Sequence, residues 1–134
     1  EIARLRERLA VGGVDSLVAG RIMVDDIPVV AAPVELADPE ALRNLADAVR
    51  DKLGSGIVLL GSKAEEKVLF VATVSRDLVK QGFNAGSIVR EAAKVAGGGG
   101  GGRPDMAQAG GRDVSKLEAA IEAGVDVVRA HSAS

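Results

Sequence analysis

The residues of this sequence that are best suited to ligand chemistry form one tract, GGGGGGRPDMAQAGG, at residues 97–111. Because glycine has no Cβ, its backbone can adopt positive φ and can approach a ligand closely. Successive backbone N–H groups in such a segment can form an anion-binding nest, and the start of the following helix would add positive potential. Arg103 and Arg112 bracket the end of the tract and supply guanidinium groups suited to phosphate. The tract therefore predicts a glycine-rich loop that binds a phosphate-bearing ligand.

Basic and polar residues around the tract extend this candidate site. Lys63 flanks a predicted hairpin tip, and Arg90 and Lys94 lie on the predicted wet face of the helix that leads into the glycines. Each alone is typical of a solvated surface charge, but together they would form a patch that follows a phosphate backbone. The candidate nucleic-acid-binding residues are Gly98, Gly100, Gly101, Gly102, Arg103, Asp105, Gln108, Gly110, Gly111, Arg112, Arg90, Lys94 and Lys63.

A run of six glycines also has a simpler interpretation, as a flexible linker. Here the run lies between two predicted helices of one short domain, where a structureless linker is uncommon. It is not a nucleoside-triphosphate loop, because no Lys follows the glycines as the Walker pattern requires. The dinucleotide pattern GxGxxG matches any run of glycines and carries no information here. A phosphate-bearing partner remains the favoured ligand class.

Catalytic and metal-binding chemistry has little support in the sequence. There is no Cys, and the one His, His131, lies three residues from the end, where it is typical of a solvated side chain. The acidic pairs Asp25-Asp26 and Glu65-Glu66 fall in predicted turns, and Asp105 belongs to the glycine tract. Metal sites need clustered ligands, which the sequence lacks. We therefore predict a non-catalytic module with no metal site and no cofactor of its own.

Composition limits how nucleic acid could be bound. The 134 residues have a formal net charge of -2, so any contact must be local rather than driven by bulk positive potential. Without Tyr or Trp, base stacking is nearly unavailable, and recognition should use backbone and shape. No apolar run is long enough to span a bilayer and no signal segment opens the chain, so a soluble, cytoplasmic protein without membrane contact is expected.

Hydrophobic periodicity predicts an α+β (mixed α/β) domain with a small sheet of about four to five strands covered by helices. Asp38 should cap a helix that ends at Gly54, and Asn84 should cap the helix before the glycines. Ser115 should cap a last helix that stops at Gly124, and the tail after it could add an edge strand. The predicted strands are residues 21–24, 29–34, 57–60 and 68–74, with Pro33 placing the second at an edge. The last two are continuous apolar runs, which predicts a central hairpin buried on both faces.

Two domain parts follow from these elements. Residues 1–13 are predicted to be the end of an amphipathic helical segment, because Ile2, Leu5 and Leu9 form one apolar stripe. Residues 14–134 are predicted to be a globular domain that contains the glycine-rich loop 97–111. The first residue, Glu1, is not Met, which suggests a fragment of a longer protein.

Three motifs together resemble a known family. They are GGGRPDMAQAGG (Gly100 to Gly111), a preceding helix of the form NAGxxVxxxAxxxGG (Asn84 to Gly98), and a strand ending VATVSRDL (Val71 to Leu78). This combination is similar to the C-terminal domain of alanyl-tRNA synthetases, over roughly Val14 to Gly124. The domain associated with DHH phosphodiesterases resembles it too, but usually has a histidine where this chain has Arg103, which favours the synthetase.

The resemblance implies more than the residues show. It implies an accessory domain of an alanine-tRNA ligase that contacts the outer corner of alanine-specific tRNA and links aminoacylation with editing. It implies contacts with other domains of the synthetase, which would hold ATP and zinc. It also implies that residues 1–13 are the end of a helical segment used in dimerisation, so that a homodimer could form through this segment. Two alternatives stay open: the substrate-binding domain of a DHH-type phosphodiesterase, and a purely structural dimerisation module.

Overall fold

The computed structural model describes residues 13–35, 38–64 and 66–133, which form an α+β domain as expected. Its helices are α1 (Gly13–Ala19), α2 (Pro39–Leu53), α3 (Arg76–Lys80), α4 (Ala85–Val95) and α5 (Leu117–Ala133), with a 3-10 turn at Val114–Lys116 before α5. Its strands are β1 (Ile22–Val24), β2 (Ile27–Val34), β3 (Ile57–Ala64), β4 (Lys67–Val74), β5 (Gly99–Gly102) and β6 (Met106–Gly111).

The strands form one sheet in the order β1-β2-β3-β4-β6-β5. Strands β2 and β3 are parallel because α2 connects them by a crossover, whereas every other neighbouring pair is antiparallel. Six strands exceed the predicted four to five, because the glycine tract supplies two strands that its composition does not indicate.

Helices cover both faces of the sheet. On one face α1 and α2 pack over Val30, Leu60 and Val71. On the other, α4 and α5 pack over Leu59 and Phe70. Strands β3 and β4 are therefore buried on both sides, which confirms the prediction made from their continuous apolar runs.

Two of the three predicted helix caps are present. The carboxylate of Asp38 accepts a hydrogen bond from the N–H of Glu40 at 3.2 Å, and the amide oxygen of Asn84 accepts one from Ser87 at 3.2 Å. Gly54 ends α2 with φ of 76°, a left-handed conformation that glycine adopts at little cost. Local side-chain chemistry thus decides where α2 and α4 begin.

The C-terminal prediction was wrong in two respects. Gly124 does not end the last helix, because α5 continues to Ala133 and no edge strand follows in the described residues. A Cβ on Gly124 would lie 2.4 Å from Leu59 Cδ2 and 3.3 Å from Ile88 Cγ2, so the glycine serves a close approach of α5 to β3 and α4. Ser115 is not the cap either, since its N–H donates to the carboxylate of Asp113 at 3.0 Å.

Two further elements differ from expectation. Helix α1 was not predicted, and β2 is not an edge strand at its start, where residues 27–29 pair with β1. Strand β1 pairs only with residues 27–29 of β2. Pro33 therefore lies in the part of β2 that pairs with β3 on one side and with no described strand on the other. A missing N–H at Pro33 therefore costs no ladder hydrogen bond on the outer side.

The dimerising segment predicted for residues 1–13 lies, apart from Gly13, outside the described residues, so it stays a prediction. Within the part of the chain that the structure describes, no helix is long and apolar enough to cross a membrane.

Two buried hydroxyl groups, that of Thr73 on β4 and that of Ser75 just after it, differ in whether they form a hydrogen bond. Thr73 is fully buried and its Oγ1 has no hydrogen-bond partner among the described residues. The Ser75 hydroxyl, also buried, accepts a hydrogen bond from the N–H of Gly56 at 3.0 Å. An unsatisfied buried hydroxyl destabilises a fold, whereas a satisfied one protects its partner from being left unpaired.

We expect Thr73→Val to raise the free energy of unfolding by about 1 kcal/mol, since it removes the unpaired oxygen and keeps the shape. Ser75→Ala should lower it by about 1–3 kcal/mol, because the N–H of Gly56 loses its acceptor. Urea unfolding followed by circular dichroism measures both. A loss of stability in Thr73→Val would show that its hydroxyl is paired in solution.

Candidate nucleic-acid interface

The glycine tract is a β-hairpin rather than the predicted loop. Strands β5 and β6 pair antiparallel from Gly99 opposite Gly110 to Gly102 opposite Ala107. The N–H of Arg103 donates to the carbonyl of Met106 at 2.9 Å and closes the turn. Strand β6 in turn pairs with β4, so the hairpin extends the central sheet.

Alternate glycines explain how β5 can lie so close to β6. A Cβ on Gly98 would stand 1.9 Å from the carbonyl oxygen of Gly110, and one on Gly100 would stand 2.5 Å from Ala109 Cα. A Cβ on Gly102 would stand 2.8 Å from Ala107 Cα. Real Cβ atoms do not approach backbone atoms so closely, and therefore these three glycines are required by packing.

The other two glycines of β5 have no such constraint. A Cβ on Gly99 would meet no atom within 4 Å, and one on Gly101 would meet only Arg90 Nη2 at 3.9 Å. Bare backbone on this side leaves room for a ligand to approach.

Backbone N–H groups at the ends of the tract already have acceptors within the domain, so they cannot contribute to the predicted anion-binding nest. Gly97 and Gly98 donate to Lys94 and Ala93 at 3.2 and 2.8 Å, and so end α4. At the other end Arg112 donates to Ala96 at 2.8 Å. These terminal N–H groups are therefore not available to phosphate, which leaves the side chains and the outer edge of β5.

The hairpin tip is anchored to the domain through its backbone. The carbonyl of Pro104 accepts a hydrogen bond from Ala85 N–H at 2.8 Å, at the start of α4. The carbonyl of Asp105 accepts one from Val74 N–H at 3.0 Å, at the end of β4. Side chains at the tip thus extend from a fixed support.

Four of the predicted basic residues lie along this hairpin and differ in their exposure and ion pairing. Arg90, on α4, is exposed and lies beside Gly101. Lys94, one turn further along α4, forms an ion pair with Glu91 at 2.9 Å. Arg103 is 3.5 Å from the carboxylate of Asp105, and Arg112 is exposed at the other end of β6.

The remaining predicted residues occupy the sheet beside the hairpin. Lys63 is exposed on β3, and the register Lys63–Val68–Gly111 places it at the Arg112 end of the hairpin. Gln108 is half-buried in β6 opposite Gly101. The structure thus brings the predicted basic residues to one hairpin and its flanks, with Arg103 at one end and Lys63 and Arg112 at the other.

A cleft of about 460 Å³ beside the hairpin tip was not predicted. Its lining comes from the end of α2, the end of β4, the start of α3 and the hairpin turn, namely Arg50, Asp51, Gly54, Val74, Ser75, Arg76, Asp77 and Asp105. Four separate segments build it, so no sequence motif could have indicated it.

His131 proved to be packed rather than simply solvated. Its Nε2 lies 2.9 Å from the carbonyl oxygen of Gln81, and its ring meets Phe83 edge to face at a centroid distance of 4.5 Å. A Cβ on Gly82 would lie 2.9 Å from this ring.

Among the described residues no group of three or more His, Cys, Asp or Glu could hold a metal ion.

Comparison with known proteins identifies the family to which this fold belongs. The family model described as the DHHA1 domain matches residues 26–130. The alanine–tRNA ligase of Acetivibrio thermocellus is 48% identical over 133 residues, which is 99% of this chain and 15% of that protein. The chain thus spans about one seventh of this curated relative.

Solved structures match as well. The C-Ala domain of Aquifex aeolicus alanyl-tRNA synthetase superposes with a TM-score of 0.71 at 34% identity, over 85% of this chain and 98% of that one. A DHH-domain protein described as a member of the s1p family of ribosomal proteins superposes with a TM-score of 0.61 at 17% identity, over 93% of this chain and 34% of that one. At that identity the second likeness shows a shared fold and nothing of function. The chain belongs to the DHHA1 domain family and, within it, to the C-terminal domains of alanyl-tRNA synthetases.

Proposed function

We propose that this chain is the tRNA-binding accessory domain of an alanine–tRNA ligase, non-catalytic by itself. In this proposal the glycine hairpin and the basic side chains around it contact the sugar–phosphate backbone at the outer corner of alanine-specific tRNA. The domain thereby helps the aminoacylation and editing domains act on one bound tRNA in the cytoplasm. ATP and zinc belong to those other domains.

The observation that carries the proposal is the row of basic side chains on an anchored hairpin. Arg103 and Arg112 lie near opposite ends of β6, about 20 Å apart by the ~3.4 Å rise per residue of a strand. Two guanidinium groups at this separation reach different phosphates of one RNA, and Arg90 lies between them beside Gly101. Such an arrangement favours a ligand with a repeating phosphate backbone over a small anion.

The lack of stacking groups supports recognition by backbone and shape. The two phenylalanines, Phe70 and Phe83, are both buried, and His131 packs against Phe83. Protein–RNA interfaces that read single-stranded bases use exposed aromatic rings, which this surface lacks among its described residues. A folded RNA corner, with its phosphates exposed, suits these side chains.

The decisive measurement is the affinity for an alanine tRNA transcript compared with an acceptor-stem hairpin that lacks the corner, at two salt concentrations. We expect tighter binding to the full tRNA, with affinity that falls as salt rises because counterions are released. Arg103→Ala and Arg112→Ala should each weaken binding by about three- to tenfold and reduce the salt slope by about one.

Arg129→Ala is the matched control, since Arg129 is also exposed but lies on α5, held by Glu122 and Asp126 at 2.7 and 3.0 Å. It should change affinity much less than the hairpin arginines. Equal binding to both RNAs would contradict corner recognition, and an effect of Arg129→Ala equal to that of Arg103→Ala would contradict the hairpin as the contact surface. The homodimer contact through residues 1–13 stays a prediction.

A further inference from the structure

The turn at the hairpin tip holds an arginine and a carboxylate side by side on a fixed backbone. Arg103 Nε lies 3.5 Å from Asp105 Oδ1, and the two side chains are 76% and 45% exposed. The backbone between them is fixed by three hydrogen bonds, from Arg103 to Met106, from Val74 to Asp105 and from Ala85 to Pro104. Only the side chains of Arg103 and Asp105 are therefore free to rearrange when a ligand arrives.

Beyond this turn the surface changes sign. The cleft beside the tip contains the carboxylates of Asp51, Asp77 and Asp105 against two guanidinium groups. One of these, Arg50, is already held by Asp47 and Asp51 at 3.6 and 3.4 Å. The other, Arg76, forms no ion pair among the described residues, so the cleft combines one unpaired guanidinium with a small excess of carboxylates.

Asp77 supplies one of the negative charges of this cleft. Its carboxylate accepts a hydrogen bond from Ser55 Oγ at 2.5 Å. Hydrogen bonds from the hydroxyls of Ser55 and Ser75 lower the pKa of Asp77, because they stabilise the charged form. A phosphate chain that follows the hairpin beyond Asp105 would therefore meet the carboxylate of Asp77 as well as the guanidinium of Arg76.

We propose that Asp105 competes with RNA phosphate for Arg103, and so limits how tightly the hairpin tip holds RNA. The inference rests on the proposed function, because it assigns Asp105 a role within the same interface. Asp105 is part of the interface as a negative determinant: it neutralises Arg103 in the free domain and repels the phosphate that replaces it.

The exposure of the Arg103–Asp105 ion pair explains why a phosphate could displace the carboxylate. Exposed ion pairs are weak, so a phosphate with two acceptor oxygens can displace Asp105 from Arg103. The carboxylate then remains beside the phosphate, where its repulsion is partly screened by salt. Asn at this position removes both the competition and the repulsion while it preserves the size of the side chain.

The test measures the affinity of the alanine tRNA transcript for Asp105→Asn by fluorescence anisotropy. We expect Kd to fall about two- to fivefold at low salt, with a smaller change at high salt. Asp126→Asn is the matched control, because Asp126 is an exposed carboxylate beside an exposed arginine on α5 and its loss changes net charge equally. In an Arg103→Ala background, Asp105→Asn should produce little more than the control.

The outcomes separate this inference from the proposed function. The competition is supported if Asp105→Asn raises the affinity for tRNA more than Asp126→Asn does, and if this gain is smaller in the Arg103→Ala background. Weaker binding in Asp105→Asn would mean that Asp105 positions Arg103 for RNA, and a change equal to the control would mean a general charge effect; either overturns this inference alone. Failure of the unsubstituted chain to bind RNA would overturn the proposed function, and the inference with it.

Discussion

Gly98→Ala is expected to lower the free energy of unfolding by about 3 kcal/mol and the melting temperature by about 10 °C. A Cβ at this position would stand 1.9 Å from the carbonyl oxygen of Gly110, and backbone cannot move aside as a flexible side chain can. Strand β5 would have to separate from β6, and the hydrogen bond from Gly98 to Ala93 that ends α4 would be strained. The hairpin that carries Arg103 would then lose its support.

Gly99→Ala is the control for this substitution, one residue further along the same tract. Its Cβ would meet no atom within 4 Å, so stability should change by less than about 0.5 kcal/mol. Circular dichroism or calorimetry suits both measurements, because the chain has no Trp or Tyr for fluorescence. Equal effects of the two substitutions would show that β5 does not lie against β6 as described.

The tRNA affinities of Gly98→Ala and Gly99→Ala test a second consequence of the hairpin packing. Gly98→Ala should weaken tRNA binding wherever the hairpin is displaced, since Arg103 and Arg112 lose their relative positions. Gly99→Ala should weaken binding only if RNA approaches the bare backbone at Gly99. A stable Gly99→Ala domain with lower RNA affinity would therefore identify this side of β5 as a contact surface.

Phe70→Ala should destabilise the domain by about 3–5 kcal/mol, the range for large buried aromatic side chains. Phe70 is fully buried between the sheet and the helices over it. It is one of two Phe residues in a sequence that has no Tyr and no Trp. It lies opposite Gly61 of β3, where the absence of a Cβ leaves space for Phe70, Leu117 and Ile121. Small aliphatic neighbours cannot fill the cavity that Ala would leave.

Phe70→Leu keeps most of the volume and should cost only about 1–1.5 kcal/mol. Urea unfolding gives both values, and an unchanged m-value confirms that the surface exposed on unfolding is the same. A cost of Phe70→Ala similar to that of Phe70→Leu would contradict the position of Phe70 at the centre of this packing.

Much of the fold could be predicted from local signals. Asp38 and Asn84 cap helices because their side chains reach backbone N–H groups within the same turn, and no distant residue is needed for that. Strands β3 and β4 were indicated by continuous apolar runs, since burial on both faces leaves no polar alternation. Each of these signals depends on neighbours close in the chain.

The failures share a different cause. Gly124 resembles a helix stop in sequence, yet it serves a close approach of α5 to Leu59 and Ile88, residues far away in the chain. The glycines of β5 resemble a loop, yet Gly98, Gly100 and Gly102 allow the close packing of β5 on β6. Glycine permits both outcomes, and only the partner across the contact selects one.

The sequence by itself determined the chemical class of the candidate site: a glycine tract with Arg103 and Arg112, no catalytic partner residues and a resemblance to the C-terminal domains of alanyl-tRNA synthetases. The tertiary structure decided how that site can bind. Backbone N–H groups at both ends of the tract pair within the domain, and Asp105 lies against Arg103. Hydrogen-bond partners and charge neighbours are set by contacts between distant segments, and these exist only once the chain has folded.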